Sequence, residues 1–182
     1  MRSAAARSLV SEREFLRMPE TMNKVELLDG EVIVSPSPNF GHQEILKRLV
    51  QALDRWARRY PHPATVAQSP LDVRFGKGRI LQPDAFVLLR KIPLEHKGPI
   101  AHIPELCIEV LSENRIYDRV TKRLVYAVAG VRELWVVDRA GLVERWTGRG
   151  LNDSTESRVR LTSQVLPGFT LDLRKLFSAR SR

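Results

Sequence analysis

The feature that most constrains the fold is a short apolar run, residues 104–112, with a carboxylate near its centre. Two apolar residues precede Glu109 and two follow it. Residues of these types favour a strand buried in a pleated sheet. A carboxylate there is costly to bury unless a cation, hydrogen bonds or a raised pKa compensates for its desolvation. The run therefore predicts a core strand in which Glu109 needs a partner.

A second apolar run, residues 85–89, follows directly after Pro83 and Asp84. Two buried strands that each carry one acid suggest a shared divalent cation. Carboxylate oxygens suit Mg²⁺ or Mn²⁺, which keep several waters and also bind substrate phosphates. The backbone carbonyl of Val110 is a third candidate ligand. The sequence therefore predicts a metal centre at Asp84, Glu109 and Val110.

The charge of the chain is compatible with a polyanionic partner. The formal net charge is +9, and a strongly basic protein attracts nucleic acid through counterion release and electrostatic steering. A basic surface with evenly spread charge explains the same number equally well. The composition therefore permits nucleic acid as a partner without identifying it.

The sequence predicts a cytoplasmic protein that does not interact with membranes. Cys107 is the only cysteine, which excludes a disulfide framework and favours a reducing compartment. No apolar run approaches the length that crosses a bilayer. The basic, alanine-rich residues 1–7 are not followed by the apolar core of a signal peptide.

The N-terminal part predicts a short helix and a hairpin. Ser11 and Glu14 have the spacing of a capping box, so a helix should start at Ser11 and end by Pro19. The Asp-Gly at positions 29–30 joins two runs that have the pattern of strands. This dipeptide is the strongest hairpin signal in the chain.

Two longer helices follow. Apolar residues recur with helical period over residues 41–60, and His42 lies at the start of that apolar face. A second helix should start at Ser112 and run to about Ala129, where Gly130 ends it.

The remaining pattern predicts a mixed α/β domain over residues 24–177, preceded by a helical segment (1–23) and followed by a basic tail (178–182). Residues 148–157 are polar and predict a loop, and residues 171–177 predict a short terminal element. Besides the hairpin and the two acidic strands, strands are expected at residues 71–75, 132–138, 142–147 and 158–165.

Several of these residues resemble a known superfamily. The PD-(D/E)XK nucleases carry a Pro-Asp on one strand and an acidic-x-Lys on the next. Pro83, Asp84 and Glu109 match this pattern, whereas Leu111 stands where the lysine belongs.

More narrowly, the chain is similar to the Uma family of restriction-endonuclease-like proteins. Each motif alone is weak, but their shared order and spacing are specific. The matching motifs are Glu26-Leu27-Leu28-Asp29-Gly30-Glu31, His42, Pro83-Asp84, residues 104–112, Lys122 with Tyr126, Gly130-Val131, Trp135-Val136-Val137-Asp138 and Leu166-Pro167-Gly168-Phe169.

The resemblance implies a restriction-endonuclease-like fold, with a central mixed β-sheet flanked by helices and an N-terminal β-hairpin. It implies hydrolysis of phosphodiester bonds in nucleic acid that depends on Mg²⁺ or Mn²⁺, with DNA as the favoured polymer. Asp84 and Glu109 would hold the ion. Lys122 would replace the missing strand lysine and position the attacking water, with Glu26 and His42 assisting.

Three of these assignments have a structural alternative. At about 100° per residue, Lys122 lies off the apolar stripe that contains Val120 and Leu124, which favours an exposed Asp118–Lys122 helix pair. Glu26 is equally well explained as a polar residue on the outer face of the hairpin. His42 is more often a hydrogen-bonded residue of a helix start than a catalytic group.

A second function is also compatible with the sequence: a nucleic-acid-binding or assembly module that keeps the nuclease fold without cutting. The displaced lysine motivates it, together with the absence of an evident target-recognition domain. The apolar C-terminal strands are compatible with a homo-dimer or a higher homo-oligomer.

Other chemistry-bearing residues predict structural roles. Cys107 and the aromatic residues Trp56, Tyr60, Tyr126 and Trp135 are expected to be packing residues, Asp72 to face solvent and Asp138 to belong to a turn. Four histidines without paired spacing exclude an ordinary zinc site. No Gly-rich phosphate loop and no nucleophile elbow occurs.

Overall fold

The strand that carries Glu109 lies inside a six-stranded sheet, as the computed structural model shows for residues 9–19, 21, 23–111 and 116–178. The predicted helix start at Ser112, residues 1–8 of the predicted N-terminal segment and residues 179–182 of the basic tail lie outside these described residues. In chain order the elements are α1 (Glu12–Phe15), β1 (Lys24–Leu28), β2 (Glu31–Ser35), α2 (Phe40–Ala57), β3 (Thr65–Gln68), β4 (Val73–Arg74), β5 (Arg79–Leu81), β6 (Ala85–Leu88), β7 (Leu106–Val110), a π-helical turn (Tyr117–Thr121), α3 (Lys122–Ala129), β8 (Glu133–Asp138), β9 (Leu142–Thr147), β10 (Asp153–Ser157), β11 (Arg160–Thr162), β12 (Thr170–Asp172) and α4 (Leu173–Phe177).

The large sheet has the strand order β10-β9-β8-β7-β6-β3. Strands β7 and β8 are parallel and every other neighbouring pair is antiparallel. The mixed sheet predicted from the sequence is therefore confirmed. All five residues of β7 are buried, as expected for a strand with a neighbour on each side and a layer on each face.

The two faces of the large sheet pack against different helices. Because side chains alternate along a strand, Ile108 and Val110 join Leu49 of α2 in one apolar cluster. Cys107 points to the other face, into the cluster that contains Tyr126 of α3. Glu109 shares the register of Cys107, so its carboxylate lies on the α3 side of the sheet.

The hairpin β1–β2 belongs to a second sheet with the order β2-β1-β5-β4. Its turn lies at Asp29 and Gly30, as predicted, and both residues have positive φ. The capping box at Ser11 is also confirmed, since its hydroxyl accepts from the Glu14 amide while its own amide donates to the Glu14 carboxylate. This sheet places β1 and the end of β5 next to the acidic strands.

Several predicted boundaries are wrong. Residues 148–157 were expected to form a loop, yet β10 pairs with β9 along its whole length. This strand lies at the edge of the sheet and is largely exposed, so it lacks the apolar alternation of a half-buried strand. The sequence did not predict β3 and β5, because each has too few residues to show a periodic pattern. The strands predicted at 71–75 and 158–165 are shorter in the structure, where they correspond to β4 and β11.

The helix after β7 exposes the face that its apolar stripe predicts to be buried. Every exposed residue of the helical stretch 116–129 is apolar, and the buried face is largely polar or aromatic. Periodicity failed because this helix covers charged groups, and because a π-helical turn departs from 3.6-residue spacing. The exposed residues, called the α3 ridge below, are Ile116, Val120, Leu124 and Val128.

Within the described ranges, none of the helices combines the length and the apolar character that crossing a bilayer would require.

Candidate functional site

Asp84 precedes β6 and is held in place by three donors. The antiparallel pairing of β6 with β7 lets the Val110 amide donate to Asp84 Oδ2 at 2.8 Å. His42 Nε2 lies 3.0 Å from the same oxygen, and Lys24 Nζ donates to Oδ1 at 2.9 Å. Although burial opposes it, the attraction of Lys24 and the hydrogen bond with His42 hold the pKa of Asp84 well below its ordinary value.

Glu109 is fully buried, and each of its oxygens has a partner. Lys122 Nζ donates to Oε2 at 3.0 Å and the Tyr126 hydroxyl donates to Oε1 at 2.5 Å. Burial raises the pKa of Glu109 to about 8, against the attraction of Lys122 and Lys24. Asp84 and Glu109 thus have pKa values displaced in opposite directions, which is typical of acids with different tasks.

Lys122 is 1% exposed and is surrounded by carboxylates. Its ammonium lies 3.0 Å from Glu109, 3.3 Å from Glu26 and 3.9 Å from Asp118. Burial alone would lower the pKa of Lys122, but the attraction of Glu109 and Glu26 raises it well above the ordinary value. The alternative of an exposed Asp118–Lys122 pair is therefore wrong.

Glu26 lies on β1 and is fully buried, so the alternative of an outer hairpin position is also wrong. Its Oε1 accepts from the Gln82 amide at 2.7 Å, and its Oε2 accepts from the Tyr117 hydroxyl at 3.1 Å. Together with the 3.3 Å contact to Lys122, these bonds link the small sheet to the acids of the large one.

His42 lies in the first turn of α2 and its ring reaches Asp84. Its amide donates to the Asn39 side chain at 3.0 Å, which caps α2. Its ring is buried and contacts Asp84 through Nε2, while the buried Nδ1 has no hydrogen-bond partner among the described residues. His42 therefore orients Asp84.

Sequence reasoning missed Lys24. Its side chain is 17% exposed, and its ammonium lies 2.9 Å from Asp84 and 4.0 Å from Glu109. The signal was present, because Lys24 and Glu26 are two positions apart on one strand and so share a face.

The hydroxyls of Tyr117 and Tyr126 were missed as well. Tyr126 was expected to be a packing residue, and it is buried, but it also donates to Glu109. Tyr126 follows Lys122 by four positions, so helical spacing could have placed both side chains over Glu109.

The other candidates lie outside this cluster. Asp72 is half-buried and accepts from the Gln82 side chain at 2.9 Å, rather than facing solvent freely. Asp138 accepts from the Ala140 amide at 2.9 Å, which confirms its turn role. Cys107 is buried in the core, and burial raises the pKa of its thiol.

An open cleft of about 390 Å³ leads to the cluster. Lys24, His42, Asp84, Val110 and Asp118 line it. The side chains of Glu26, Glu109 and Lys122 are buried behind these residues. A cation or phosphate that enters the cleft therefore meets Asp84 and Lys24 first.

The residues fit a hard divalent cation. Asp84 and Glu109 offer carboxylate oxygens, and both already contact one cation, the Lys24 ammonium. Within the described part of the chain no group of three or more His, Cys, Asp or Glu residues has the arrangement of a metal site. This donor set suits Mg²⁺, which is commonly bound by one or two carboxylates plus waters and substrate phosphates.

The raised pKa of Glu109 predicts how stability depends on pH. The folded protein keeps the proton up to about pH 8, whereas the unfolded chain releases it near 4.5. Because the folded state binds more protons in this window, the free energy of unfolding attributable to Glu109 is largest below 4.5 and falls as the pH rises to 8. Urea titrations between pH 5 and 8 should show this fall, and Glu109→Gln should flatten it. If the free energy of unfolding rose equally with pH in the wild type and in Glu109→Gln, the raised pKa of Glu109 would be contradicted.

Comparisons with known proteins agree with this architecture. A model of the family described as "Putative restriction endonuclease" matches residues 13–174. The chain is also similar to a solved structure from Anabaena variabilis ATCC 29413, described as "a putative nuclease belonging to DUF820". The two chains share 24% identity with a TM-score of 0.75, over 92% of this chain and 97% of that one, a likeness that establishes the fold. No curated protein matches the chain.

Proposed function

The chain belongs to the Uma2 family, and from this premise we propose that it is a nuclease that hydrolyses phosphodiester bonds of nucleic acid with the help of Mg²⁺ or Mn²⁺. One observation carries the proposal: the Lys24 ammonium lies 2.9 Å from Asp84 and 4.0 Å from Glu109, and Lys24 and Asp84 line an open cleft. Such a pair of carboxylates is suited to hold a metal ion against a substrate phosphate.

The proposed ligands are Asp84, Glu109 and the backbone carbonyl of Val110. When bound, the ion would supply Lewis-acid stabilisation of the phosphate and lower the pKa of a bound water. The Val110 amide and His42 fix Asp84 Oδ2, which leaves Oδ1 directed at Lys24. Asp84 is therefore preorganised by the fold.

Lys122 acts in this proposal as a positioning residue. Its ammonium lies among Glu109, Glu26 and Asp118 and is almost fully buried. It orients the Glu109 carboxylate and keeps it ionisable, while Glu26 and the Tyr126 hydroxyl complete the surrounding network. The expected reaction is attack of water on phosphorus with release of one ester oxygen.

DNA is the proposed polymer, by analogy with the family. The basic charge of the chain, +9, supports a polyanionic substrate of either kind. The single cysteine of the sequence supports the cytoplasm as the proposed location.

A second candidate is a nucleic-acid-binding or assembly module that does not cut. The buried position of Lys122 favours it, since no lysine follows Glu109 on β7 to meet a substrate water. Incubation with single- and double-stranded DNA and with RNA, in Mn²⁺ or in EDTA, separates the two. Cleavage that requires the metal supports the nuclease, whereas binding without cleavage supports the module.

We also propose that the chain forms a homo-dimer. The sequence offered the apolar C-terminal strands as a dimer surface. Apolar residues of this C-terminal part, such as Leu161 and Leu173, are buried in the core. The α3 ridge is a better candidate surface. Arg119 pairs with Glu144 and Arg123 stacks on Trp146, so the neighbouring charges turn away from it.

The occupant of the ridge in this proposal is a second copy of the chain. Its residues are spaced by four, and two identical ridges of this kind interdigitate around a two-fold axis. We expect the wild type to sediment as a dimer and Leu124→Lys as a monomer. Leu94→Lys, at a more exposed loop leucine off the ridge, should leave the mass unchanged. A monomeric wild type, or a dimeric Leu124→Lys, would contradict this interface.

A further inference from the structure

The Lys24 ammonium lies where a metal ion bound by both Asp84 and Glu109 would lie. Its ammonium contacts Asp84 Oδ1 at 2.9 Å and Glu109 Oε2 at 4.0 Å, and it is the cation that both acids share on the cleft side. Lys122, the other lysine of the cluster, approaches Glu109 from the α3 side. An ion that bridges Asp84 and Glu109 from the cleft must therefore displace Lys24.

The environment of Lys24 allows this displacement. Its side chain is 17% exposed and lines the cleft, whereas the Lys122 side chain is 1% exposed and lies among three carboxylates. A lysine has a flexible four-carbon stem and a strongly hydrated ammonium, so it moves into water at low cost. Among the described residues, Lys24 has one close hydrogen bond that has to be broken, the bond to Asp84.

We propose that Lys24 is an exchangeable internal counter-ion: its ammonium pairs with Asp84 and lies beside Glu109 until a divalent cation replaces it, and then binds the substrate phosphate in the cleft. This inference rests on the proposed metal-dependent nuclease function and adds a substrate-binding residue to it.

The charge balance of the cluster supports the exchange. When Glu109 is ionised, as metal binding requires, Glu26, Asp84 and Glu109 carry three negative charges against the two positive charges of Lys24 and Lys122, an excess of one negative charge among these five groups. Replacing the Lys24 ammonium by a divalent cation at the acids reduces this excess. The released ammonium then adds a positive charge to the cleft, where a phosphate bound to the ion would carry negative charge.

Calorimetric titration with Mn²⁺ tests whether the metal displaces Lys24. The variants Lys24→Met and Lys24→Arg are titrated beside the wild type. Lys24→Met keeps an unbranched side chain and removes the competing charge. We expect it to bind Mn²⁺ roughly tenfold more tightly than the wild type, the factor for one charge-assisted hydrogen bond that no longer has to be broken. Lys24→Arg, which keeps the charge, should bind no more tightly than the wild type. Lys97→Met, at an exposed loop lysine, controls for the change in net charge.

A purely structural role for Lys24 predicts the opposite order. If Lys24 only fixes Asp84, Lys24→Met should bind Mn²⁺ more weakly than the wild type, and this result, or equal affinity, would overturn the inference. The ranking of Lys24→Arg against the wild type provides a second comparison if Lys24→Met does not fold, because tighter binding by Lys24→Arg would also overturn it.

Cleavage of DNA at saturating Mn²⁺ tests whether the released Lys24 ammonium binds the substrate phosphate. Lys24→Met should cleave more slowly although it binds more metal, and an unchanged rate would overturn the phosphate contact. Asp84→Asn separates the inference from the proposed function. If Asp84→Asn abolishes Mn²⁺ binding and Lys24→Met does not tighten it, the inference fails and the metal site stands. If the wild type neither binds Mn²⁺ nor cleaves DNA, both the role of Lys24 and the proposed nuclease function are wrong.

Discussion

Asp84→Asn is expected to lower the rate of metal-dependent cleavage by a factor on the order of 10²–10³. The amide keeps the size of the side chain and can still accept from the Val110 amide, which now donates to Asp84 Oδ2 at 2.8 Å. It removes the charge that holds Lys24 and, in our proposal, the metal ion. Initial rates of DNA cleavage in Mn²⁺ measure the effect.

The matched control for this substitution is Asp72→Asn. Asp72 lies nearby, contacts Gln82 and is not part of the cluster of acids around the lysines. We expect its cleavage rate to stay close to that of the wild type. A fully active Asp84→Asn protein, with unchanged thermal stability in both variants, would remove Asp84 from the mechanism.

Lys122→Met is expected to have the largest effect on stability, a loss of about 3–5 kcal/mol in the free energy of unfolding. The substitution leaves Glu109, Glu26 and Asp118 without the ammonium that lies within 3.0–3.9 Å of each. Buried carboxylates that lose a neighbouring cation are costly because little water can reach them. Urea unfolding at pH 9, above the pKa of Glu109, measures the loss.

A double variant shows whether this loss comes from the charge network. Lys122→Met combined with Glu109→Gln removes one of the unpaired acids, so the double variant should recover part of the stability lost in Lys122→Met. Lys97→Met, at an exposed position, should change the free energy of unfolding by less than about 0.5 kcal/mol. A Lys122→Met protein as stable as this control would contradict the buried network.

The elements that the sequence predicts best are those with a complete local signal. The Asp29–Gly30 turn needs positive φ at both residues, and the dipeptide supplies it. The apolar run around Glu109 predicts a core strand, and β7 is fully buried. The match of residues 13–174 to the family confirms the resemblance from which Lys122 and Glu26 were assigned.

Periodicity failed where a helix covers polar groups. The apolar stripe of the helix after β7 predicted that Lys122 faces solvent, because ordinary amphipathic helices bury their apolar side. Here the buried side carries Lys122 and Asp118 toward Glu109, and Leu124 is exposed. Only the position of Glu109 on the facing strand explains this inversion, and that position depends on the tertiary fold.

Lys24 shows a different limit of sequence reasoning. Its spacing from Glu26 places both side chains on one face of β1. Its contact with Asp84, 60 positions later in the chain, depends on how the small sheet packs beside β6. Local patterns do not report such a contact.

The most direct test of the central claim is a calorimetric titration of the wild type with Mn²⁺ beside Asp84→Asn, with and without a DNA duplex that carries non-hydrolysable linkages. We predict saturable binding by the wild type and its loss in the variant, because Asp84 lines the cleft and its carboxylate is oriented by the Val110 amide and His42. Equal binding by both proteins, or no binding by the wild type even with DNA present, would contradict a metal-dependent site at Asp84 and Glu109.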